Sequence, residues 1–193
     1  MLVTVMGWGC PTAAFCAWEP RQQGFNDTEL VAVFMHPHDP TRLSAASPRA
    51  VYHSQDGGWR WRECFRTPAS TSLTALAVDP FDAKRLFAAT DNGLFGSRDG
   101  GRRWKRLFRG SGANESRCLA VQAHPSRPHE VVLGTAGGLF VSTDSGEHWE
   151  ERGQVLNDRS ISYLAIEPKV AGRLYAVTDQ GLFASEDANY HAW

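Results

Sequence analysis

SRDGGRRW, at residues 97–104, combines a serine, an aspartate, two glycines and a tryptophan in eight positions. Two other segments match its pattern S-x-D-x-G-x-x-W in full, SQDGGWRW at 54–61 and STDSGEHW at 142–149. A fourth, SEDANYHAW at 185–193, replaces the glycine with Asn189 and delays the tryptophan by one residue. We call these segments boxes 1 to 4 in chain order. Their pattern residues are Ser54, Asp56, Gly58 and Trp61; Ser97, Asp99, Gly101 and Trp104; Ser142, Asp144, Gly146 and Trp149; and Ser185 and Asp187.

The rest of the chain repeats in the same register. The box aspartates lie 43, 45 and 43 residues apart, and a proline precedes each box serine by 17 residues, at positions 37, 80, 125 and 168. Between proline and box come two short runs, such as RLFAAT and GLFGS in the second repeat. Such runs, rich in aromatic and β-branched residues and bounded by turn residues, are typical of strands. No stretch has the length and period of a convincing helix.

Each repeat therefore predicts four short antiparallel strands. The first ends near the proline, the second and third are the two runs, and the fourth starts at the box tryptophan. Four such strands recurring every 43 to 45 residues predict an all-β fold, a β-propeller of four-stranded antiparallel blades. We place the repeats at 19–61, 62–104, 105–149 and 150–193, after an uncharged N-terminal segment 1–18. Length varies mainly after the tryptophan, where FRGSGANES (108–116) lengthens the third repeat.

The box pattern resembles the Asp-box, or BNR repeat, and the resemblance covers the chain from about residue 19. The aspartate can close a turn by accepting backbone N–H groups, the glycine permits a positive φ, and the tryptophan ring can cover the hairpin. The resemblance implies that each box joins the third and fourth strands at the blade rim, away from ligand-binding faces. We therefore predict a structural role for the boxes and no catalytic residue among them. One carboxylate per box is also too few for calcium, so we predict no metal site.

The ends of the array leave two architectures open. Trp18 precedes Trp61 by the repeat interval of 43 residues, and the chain stops at Trp193, where a fourth strand should begin. An N-terminal strand could complete the last blade and latch a four-bladed ring. Alternatively, the chain is a section of a larger propeller, which would expose apolar faces and favour self-association. Residues 1–18 could also be a leader, although they lack a positive n-region and an unbroken apolar core.

Composition and charge exclude several classes of function. Twenty Lys and Arg residues against 21 Asp and Glu give a net charge of −1, which does not favour a nucleic-acid partner. No segment is long and apolar enough to span a membrane. The four cysteines form no C-x-x-C pair, and Cys118 falls at a position filled elsewhere by Leu or Ile, which predicts a buried hydrophobe. No glycine-rich loop precedes a helix, and we predict no cofactor.

Two further groups of residues could carry chemistry. His36, His38 and Asp39 could suggest a metal, but equivalent segments read VDPFDA, AHPSRP and IEPKVA, so a solvated turn is the preferred interpretation. A glycosidase needs two opposed carboxylates, and those beside the proline turns, such as Asp79, cannot be paired from sequence. The arginine motif found early in the sialidase chain is absent.

A basic cluster marks a possible binding patch. Residues 97–109 contain one acid, Asp99, and six cations, which are Arg98, Arg102, Arg103, Lys105, Arg106 and Arg109. This cluster could dock an acidic protein or a glycan, or it could be a solvated hairpin.

Family resemblance leaves the function with two hypotheses. The repeat is similar to those of photosystem II assembly factors and of the luminal propeller of Vps10-type sorting receptors, which bind proteins. It is also similar to those of sialidases. We expect a non-enzymatic platform that binds a protein partner, the alternative being a sialidase-like glycoside hydrolase or a glycan-binding protein. Most members of the family act outside the cytoplasm, which favours an extracytoplasmic location.

Overall fold

The computed structural model describes residues 20–27, 29–36, 39–168, 173–185, 187 and 190. This part of the chain is almost entirely β-structure, arranged in four antiparallel sheets. Sheet 1 contains β1 (Ala32–His36), β2 (Asp39–Ala46), β3 (Ala50–Ser54) and β4 (Arg62–Arg66). Sheet 2 contains β5 (Leu73–Val78), β6 (Leu86–Thr90), β7 (Gly93–Ser97) and β8 (Lys105–Phe108). Sheet 3 contains β9 (Cys118–Ala123), β10 (Val131–Thr135), β11 (Leu139–Ser142) and β12 (Glu150–Arg152), and sheet 4 contains β13 (Ile161–Ile166), β14 (Leu174–Thr178) and β15 (Gly181–Ser185).

The sheets have the order and arrangement of propeller blades. Strands pair in chain order within each sheet, and the boxes join the third strand to the fourth in sheets 1 to 3. The first strands of consecutive sheets, β1, β5, β9 and β13, lie against one another, so the sheets stack side by side with their first strands innermost. The predicted all-β propeller is confirmed. The proposed latch around Trp18 and the fourth strand at Trp193 both lie outside the described residues.

Hydrophobic clusters hold consecutive sheets together. Sheets 1 and 2 share the cluster Ala46, Val51, Leu73, Leu76 and Ala88. Sheets 2 and 3 pack through Ala77, Phe87, Ala89, Leu94, Phe108, Cys118, Val121, Val131, Leu133 and Phe140, and sheets 3 and 4 through Ala120, Val132, Leu139, Val141, Leu156, Ile161, Leu164, Leu174, Ala176 and Tyr190. A sheet between two others is covered on both faces. For that reason β6 (LFAAT) and β10 (VVLGT) are buried at every position and read as continuous apolar runs.

A threonine closes the hairpin between the second and third strands. Thr90 Oγ1 donates to the carbonyl of Gly93 at 2.6 Å, and Thr135 and Thr178 make the same bond to Gly138 and Gly181, each at 3.0 Å. The three glycines have φ values of 111°, 144° and 125°, which strain a residue with a side chain. The threonine that ends RLFAAT, EVVLGT and RLYAVT therefore encodes this turn.

Two short helical turns lie outside the sheets. A one-turn helix, α1 (Ala113–Ser116), falls within the longer segment of the third repeat, and a 3₁₀ turn covers Gln154–Leu156. Neither contradicts the expectation that the chain has no long helix. Leu156 is fully buried in the contact between sheets 3 and 4, so this connection also contributes to the core.

Truncation of a residue between sheets should destabilise the stack. Leu139→Ala removes a fully buried side chain and should lower the free energy of unfolding by about 2 to 5 kcal/mol. Chemical denaturation followed by tryptophan fluorescence measures the loss. Val155→Ala, at a position 45% exposed, is the control and should change stability by less than about 0.5 kcal/mol. Equal losses in the two variants would contradict the stacked core.

Candidate binding grooves between the sheets

The box serine links three parts of its own turn. In boxes 1 to 3, the Oγ of the serine donates to Oδ1 of the box aspartate at 2.8, 3.0 and 2.8 Å. The same oxygen accepts the N–H of the box glycine at 2.9, 2.8 and 2.7 Å. Each serine is buried. A hydroxyl can donate once and accept at the same time, so one atom holds both sides of the turn.

The box aspartate receives the backbone of the residues that follow the glycine. Asp144 Oδ1 accepts the N–H groups of Glu147 and His148, both at 2.9 Å, and Asp99 Oδ1 accepts those of Arg102 and Arg103. These bonds favour the ionised form. The pKa of Asp144 is well below its usual value, first because of the His148 N–H, and that of Asp99 is lowered chiefly by the Arg103 side chain.

The box tryptophans and glycines complete the turn. Gly58, Gly101 and Gly146 have φ values of 88°, 84° and 91°, in the left-handed region. The indole N–H of Trp104 donates to the carbonyl of Gly101 at 3.0 Å, and Trp149 bonds Gly146 in the same way at 3.1 Å. Trp61 differs, since its indole donates to the carbonyl of Arg21 instead.

Box 4 has a different bond. Ser185 Oγ donates to the backbone carbonyl of Asp187 at 3.3 Å, whereas the corresponding serine bonds of boxes 1 to 3 reach a side-chain carboxylate. Tyr190, which follows, is buried and donates its hydroxyl to Glu130 of sheet 3 at 2.7 Å. The last box thus contributes a contact between sheets.

Polar contacts beside the boxes also join sheets 2 and 3. Arg85 Nη1 of sheet 2 donates to Ser145 Oγ of box 3 at 2.5 Å and lies 3.4 Å from Asp79 Oδ2. Asp79 is buried, and its other oxygen accepts the N–H of Phe81 at 2.8 Å, capping the turn after β5. Asp79, a candidate carboxylate at the sequence level, thus has hydrogen-bond and ion-pair partners within the fold.

A groove of about 410 Å³ runs between sheets 2 and 3. We call it groove A. Its apolar lining includes Phe87, Trp104 and Leu107, and its charged lining consists of Arg85, Arg98, Asp99, Arg103 and Lys105. Three residues of the basic cluster, Arg98, Arg103 and Lys105, therefore meet here.

A second groove, groove B, lies on the other side of box 2, between sheets 1 and 2. Its volume is about 730 Å³, and its charged lining consists of Asp56, Arg60, Arg62, Glu63 and Arg102. Arg102, another residue of the basic cluster, thus faces a different groove from its neighbour Arg103. Box 2 forms the wall between grooves A and B.

The six cations of the basic cluster have different surroundings. Arg98 and Lys105 pair with Glu147 of box 3, Lys105 at 2.8 Å, and Arg103 pairs with Asp99 at 2.8 Å. The guanidinium of Arg106 lies 5.3 Å from the centre of the Phe95 ring. Arg102 and Arg109 are exposed, and no ion pair between described residues involves either of them.

Sequence reasoning missed Glu147. It belongs to a different repeat from the cations, and only the stacking of sheets 2 and 3 brings it to Arg98 and Lys105. The contact lowers the pKa of Glu147, chiefly through its hydrogen bond from Lys105. The pattern S-x-D-x-G-x-x-W leaves this position variable, so the box itself carries no signal for it.

His36 does not lie in a solvated turn, contrary to the sequence-based interpretation. It is the last residue of β1 and is buried, with Nε2 3.0 Å from Ser44 Oγ, which in turn lies 2.9 Å from His53 Nδ1. Burial lowers the pKa of both histidines. The equivalent His124 is also buried, and its Nδ1 accepts two backbone N–H groups at 3.0 Å. His124 and the equivalent Asp79 thus hold the turn that follows the first strand of their sheets, and His38 lies outside the described residues.

The cysteines that the structure describes are not paired in disulfides. Cys64 is half-buried and Cys118 is buried, both as free thiols, and burial raises the pKa of each to about 12. Among the residues that the structure describes, no group of three His, Cys, Asp or Glu side chains is placed to hold a metal ion. None of the described helices is long and apolar enough to cross a membrane.

The comparisons with known proteins identify similar folds, but they do not identify a family. No protein-family model and no curated protein matches the chain. Solved structures do match, at TM-scores above 0.5. The GH74 xyloglucanase from Xanthomonas campestris is 20% identical with a TM-score of 0.65, and the match covers 88% of this chain and 30% of that one.

Two other structural neighbours are not described as glycosidases. YCF48 bound to D1 peptide is 14% identical with a TM-score of 0.56, over 81% of this chain and 54% of that one. The extracellular domain of BT4673 from B. thetaiotaomicron is 17% identical with a TM-score of 0.65, over 83% and 21%. This chain therefore spans between about a fifth and about half of the neighbours named here. At these identities the likeness concerns the fold alone.

The ionised Asp144 should stabilise the protein above its own titration range. Asp144→Asn loses the charge that accepts two N–H groups, so it should lower the thermal midpoint at pH 7. The pKa of Asp144 is depressed in the folded state, so this stabilisation is present above the unfolded value of about 3.9 and disappears as pH falls through the folded value. The difference between the thermal midpoints of the two proteins should therefore become smaller as the pH falls from 7 to 2.

The control for this titration is Asp158→Asn. No side-chain hydrogen bond or ion pair of Asp158 occurs among the described residues, and Asn tolerates its φ of 60°. Its melts should follow those of the unsubstituted protein at every pH. A constant difference between Asp144→Asn and the unsubstituted protein down to pH 2 would contradict the role of the charge.

Proposed function

We propose that this chain is a non-enzymatic β-propeller platform that binds an acidic segment of a partner protein along grooves A and B. In this proposal the boxes are structural Asp-boxes, which hold the third and fourth strands of each sheet together and shape the groove walls. The chain then needs no cofactor. The partner is a protein, with a glycan as the alternative ligand.

The observation that carries the proposal is the excess of positive charge in the basic cluster, which lies on the surface beside the apolar lining of groove A. Among the residues that the structure describes, the six cations of residues 97–109 have only Asp99 and Glu147 as carboxylate partners. Arg102 and Arg109 remain exposed. Trp104 and Leu107 line groove A together with Arg98, Arg103 and Lys105 of the cluster. Charged rims that surround an apolar floor are typical of surfaces that recognise peptides.

The box geometry supports a structural role. The aspartates of boxes 1 to 3 use Oδ1 for the turn, and their pKa values are lowered. A carboxylate that is ionised in this way is poorly suited to donate a proton in glycoside hydrolysis. The aspartates also belong to separate sheets, so they do not form a single site.

A structural neighbour supports a protein ligand. YCF48 is described bound to D1 peptide, which means that a propeller with this blade geometry can hold a peptide. The match covers about half of that protein and only 14% of aligned residues are identical. The neighbour therefore supports the class of ligand and not its sequence.

A glycoside hydrolase or a glycan-binding protein of sialidase type is the second candidate. One observation favours it, since three arginines, Arg85, Arg98 and Arg103, line groove A. All three, however, have carboxylate or hydroxyl partners within the fold. An arginine that is already paired must lose that partner before it can bind a substrate carboxylate. This cost makes peptide binding the better-supported function.

An extracytoplasmic location fits the proposal. The matched part of BT4673 is an extracellular domain, and most members of the family that the repeat resembles act outside the cytoplasm.

Charge reversal at the exposed arginines should weaken binding of an acidic peptide. The probe is a short fluorescein-labelled peptide of alternating glutamate and leucine, measured by fluorescence anisotropy. Arg102→Glu with Arg62→Glu, at two exposed arginines that line groove B, should raise its Kd by about tenfold or more at low salt, and the difference should shrink as salt screens the charges. A peptide of alternating lysine and leucine should bind neither protein.

The matched control carries the same charge change elsewhere. Lys84→Glu with Arg117→Glu alters two exposed cations outside the linings of grooves A and B and should leave the Kd within about twofold. Equal weakening by both pairs would mean that only net charge matters, which contradicts a localised site. Release of reducing ends from xyloglucan oligosaccharides or of sialic acid from a sialoside would favour the hydrolase instead.

A further inference from the structure

The inner part of sheet 1 presents an apolar face that is buried in the other three sheets. Leu30 and Val33 are 45% and 62% exposed. Counted back from the box serine, Leu30 corresponds to Leu73, Cys118 and Ile161, and Val33 corresponds to Leu76, Val121 and Leu164. All six of these residues are buried in contacts with the preceding sheet. Sheet 1 therefore has the face with which a sheet packs on its predecessor, and that face is uncovered among the described residues.

Sheet 4 presents the opposite face. Leu182 is 68% exposed and Val177 is also exposed. Leu182 corresponds to Val51, Leu94 and Leu139, all fully buried against the following sheet. Val177 corresponds to Ala46, Ala89 and Gly134, which pack at the same contacts or, for Gly134, against Ile161. Sheet 4 thus exposes the face with which a sheet packs on its successor.

Residues 20–27 pack against sheet 1 in the way that the fourth strand of one sheet packs against the next sheet. Phe25 stacks on Trp61 with ring centres 4.7 Å apart and meets Tyr52 at 4.9 Å. In the next contact, Phe65 of β4 lies 4.7 Å from Trp104 and 5.6 Å from Phe95. Phe108 of β8 makes the same pair of contacts with Trp149 and Phe140.

The comparison gives residues 20–27 a definite place. Phe65 and Phe108 belong to the fourth strands of the sheets that precede their tryptophans, so Phe25 lies where the fourth strand of a preceding sheet would lie. The other three strands of such a sheet would cover Leu30 and Val33. Sheet 4 has three strands and no fourth among the described residues. Sheet 4 therefore offers the three strands that residues 20–27 lack, and residues 20–27 offer the strand that sheet 4 lacks.

We propose that a second copy of this chain supplies this complement, so that sheet 4 of one copy packs on sheet 1 of the other, head to tail. The strands of sheet 4 would cover Leu30 and Val33, and residues 20–27 would lie beside β15 of the neighbouring copy. Two such contacts cover the exposed faces of sheets 1 and 4 in both copies. The smallest assembly that leaves no end face open is a dimer.

Within one chain the two faces do not cover each other, since Val33 and Leu182 are both exposed. The two faces are nevertheless complementary, because the equivalent faces pack against each other in all three contacts between consecutive sheets. An exposed pair of this kind is unfavourable in water, and burying it stabilises the assembly. The sheet 1 face differs from the sheet 4 face, so the contact between two copies joins unlike surfaces. The assembly is closed only if each copy uses both of its faces.

Light scattering coupled to size-exclusion chromatography tests the proposal on the full chain. The unsubstituted protein should elute with the mass of two chains. Val33→Asp places a charge on the sheet 1 face and Leu182→Asp on the sheet 4 face, and each should shift the protein towards the mass of one chain. Both positions are exposed in the single chain, so each variant should keep its circular dichroism spectrum.

Mixing the two variants distinguishes head-to-tail packing from other arrangements. Val33→Asp retains an intact sheet 4 face and Leu182→Asp an intact sheet 1 face, so an equimolar mixture should recover a mass of two chains, held by one intact contact. No recovery would overturn the proposal, because the mixture still contains one intact sheet 4 face and one intact sheet 1 face. Phe81→Asp and Val155→Asp, at exposed positions away from both faces, are the controls and should remain dimeric.

A single-chain mass for the unsubstituted protein at every concentration would also overturn the proposal. If Val33→Asp then lowered the thermal midpoint while Phe81→Asp did not, residues of the same chain outside the described ranges would be covering the face. Dimerisation and peptide binding are measured separately, so failure of one leaves the other standing.

Discussion

Every blade of this protein is a thin antiparallel sheet that is apolar on both faces, and water must be kept from both. A single sheet cannot achieve this, so the sheets stack, and the first strand of each meets the first strand of the next. Small residues make the close approach possible. A Cβ on Gly134 would lie 2.7 Å from Ile161 Cγ2, well inside van der Waals contact. At each position of the repeat, the size and polarity of the side chain depend on which neighbouring sheet it faces.

The boxes solve a second problem, that of the outermost strand. It pairs with one neighbour only, and in sheet 3 it is three residues long. A buried serine hydroxyl, an ionised aspartate and a tryptophan hold the hairpin in place, so that this short strand does not depend on backbone pairing alone. The same turns form the walls of grooves A and B. Stability at the rim and the shape of the candidate binding surface therefore come from the same residues.

Much of this architecture could be predicted from the order of residues. The constant register of Ser97, Asp99 and Trp104 with their counterparts indicated strands, turns and blades, because each of these features depends on neighbours a few residues apart. The interpretation of His36 as part of a solvated turn was wrong for a related reason. Its burial depends on Ser44 and His53, which come from two other strands and carry no signal in the segment around the histidine.

The sequence by itself determined the repeat, the four strands of sheets 1 to 3 and the place of their boxes between the third and fourth strands. These depend on local hydrogen bonds and on the two-residue period of side chains along a strand. Only the tertiary structure decided which charges of the basic cluster are neutralised. Glu147 reaches Arg98 and Lys105 across a contact between sheets, while Arg102 turns to the other groove. The distance between such residues along the chain is unrelated to their distance in space, because stacking brings together side chains from different repeats.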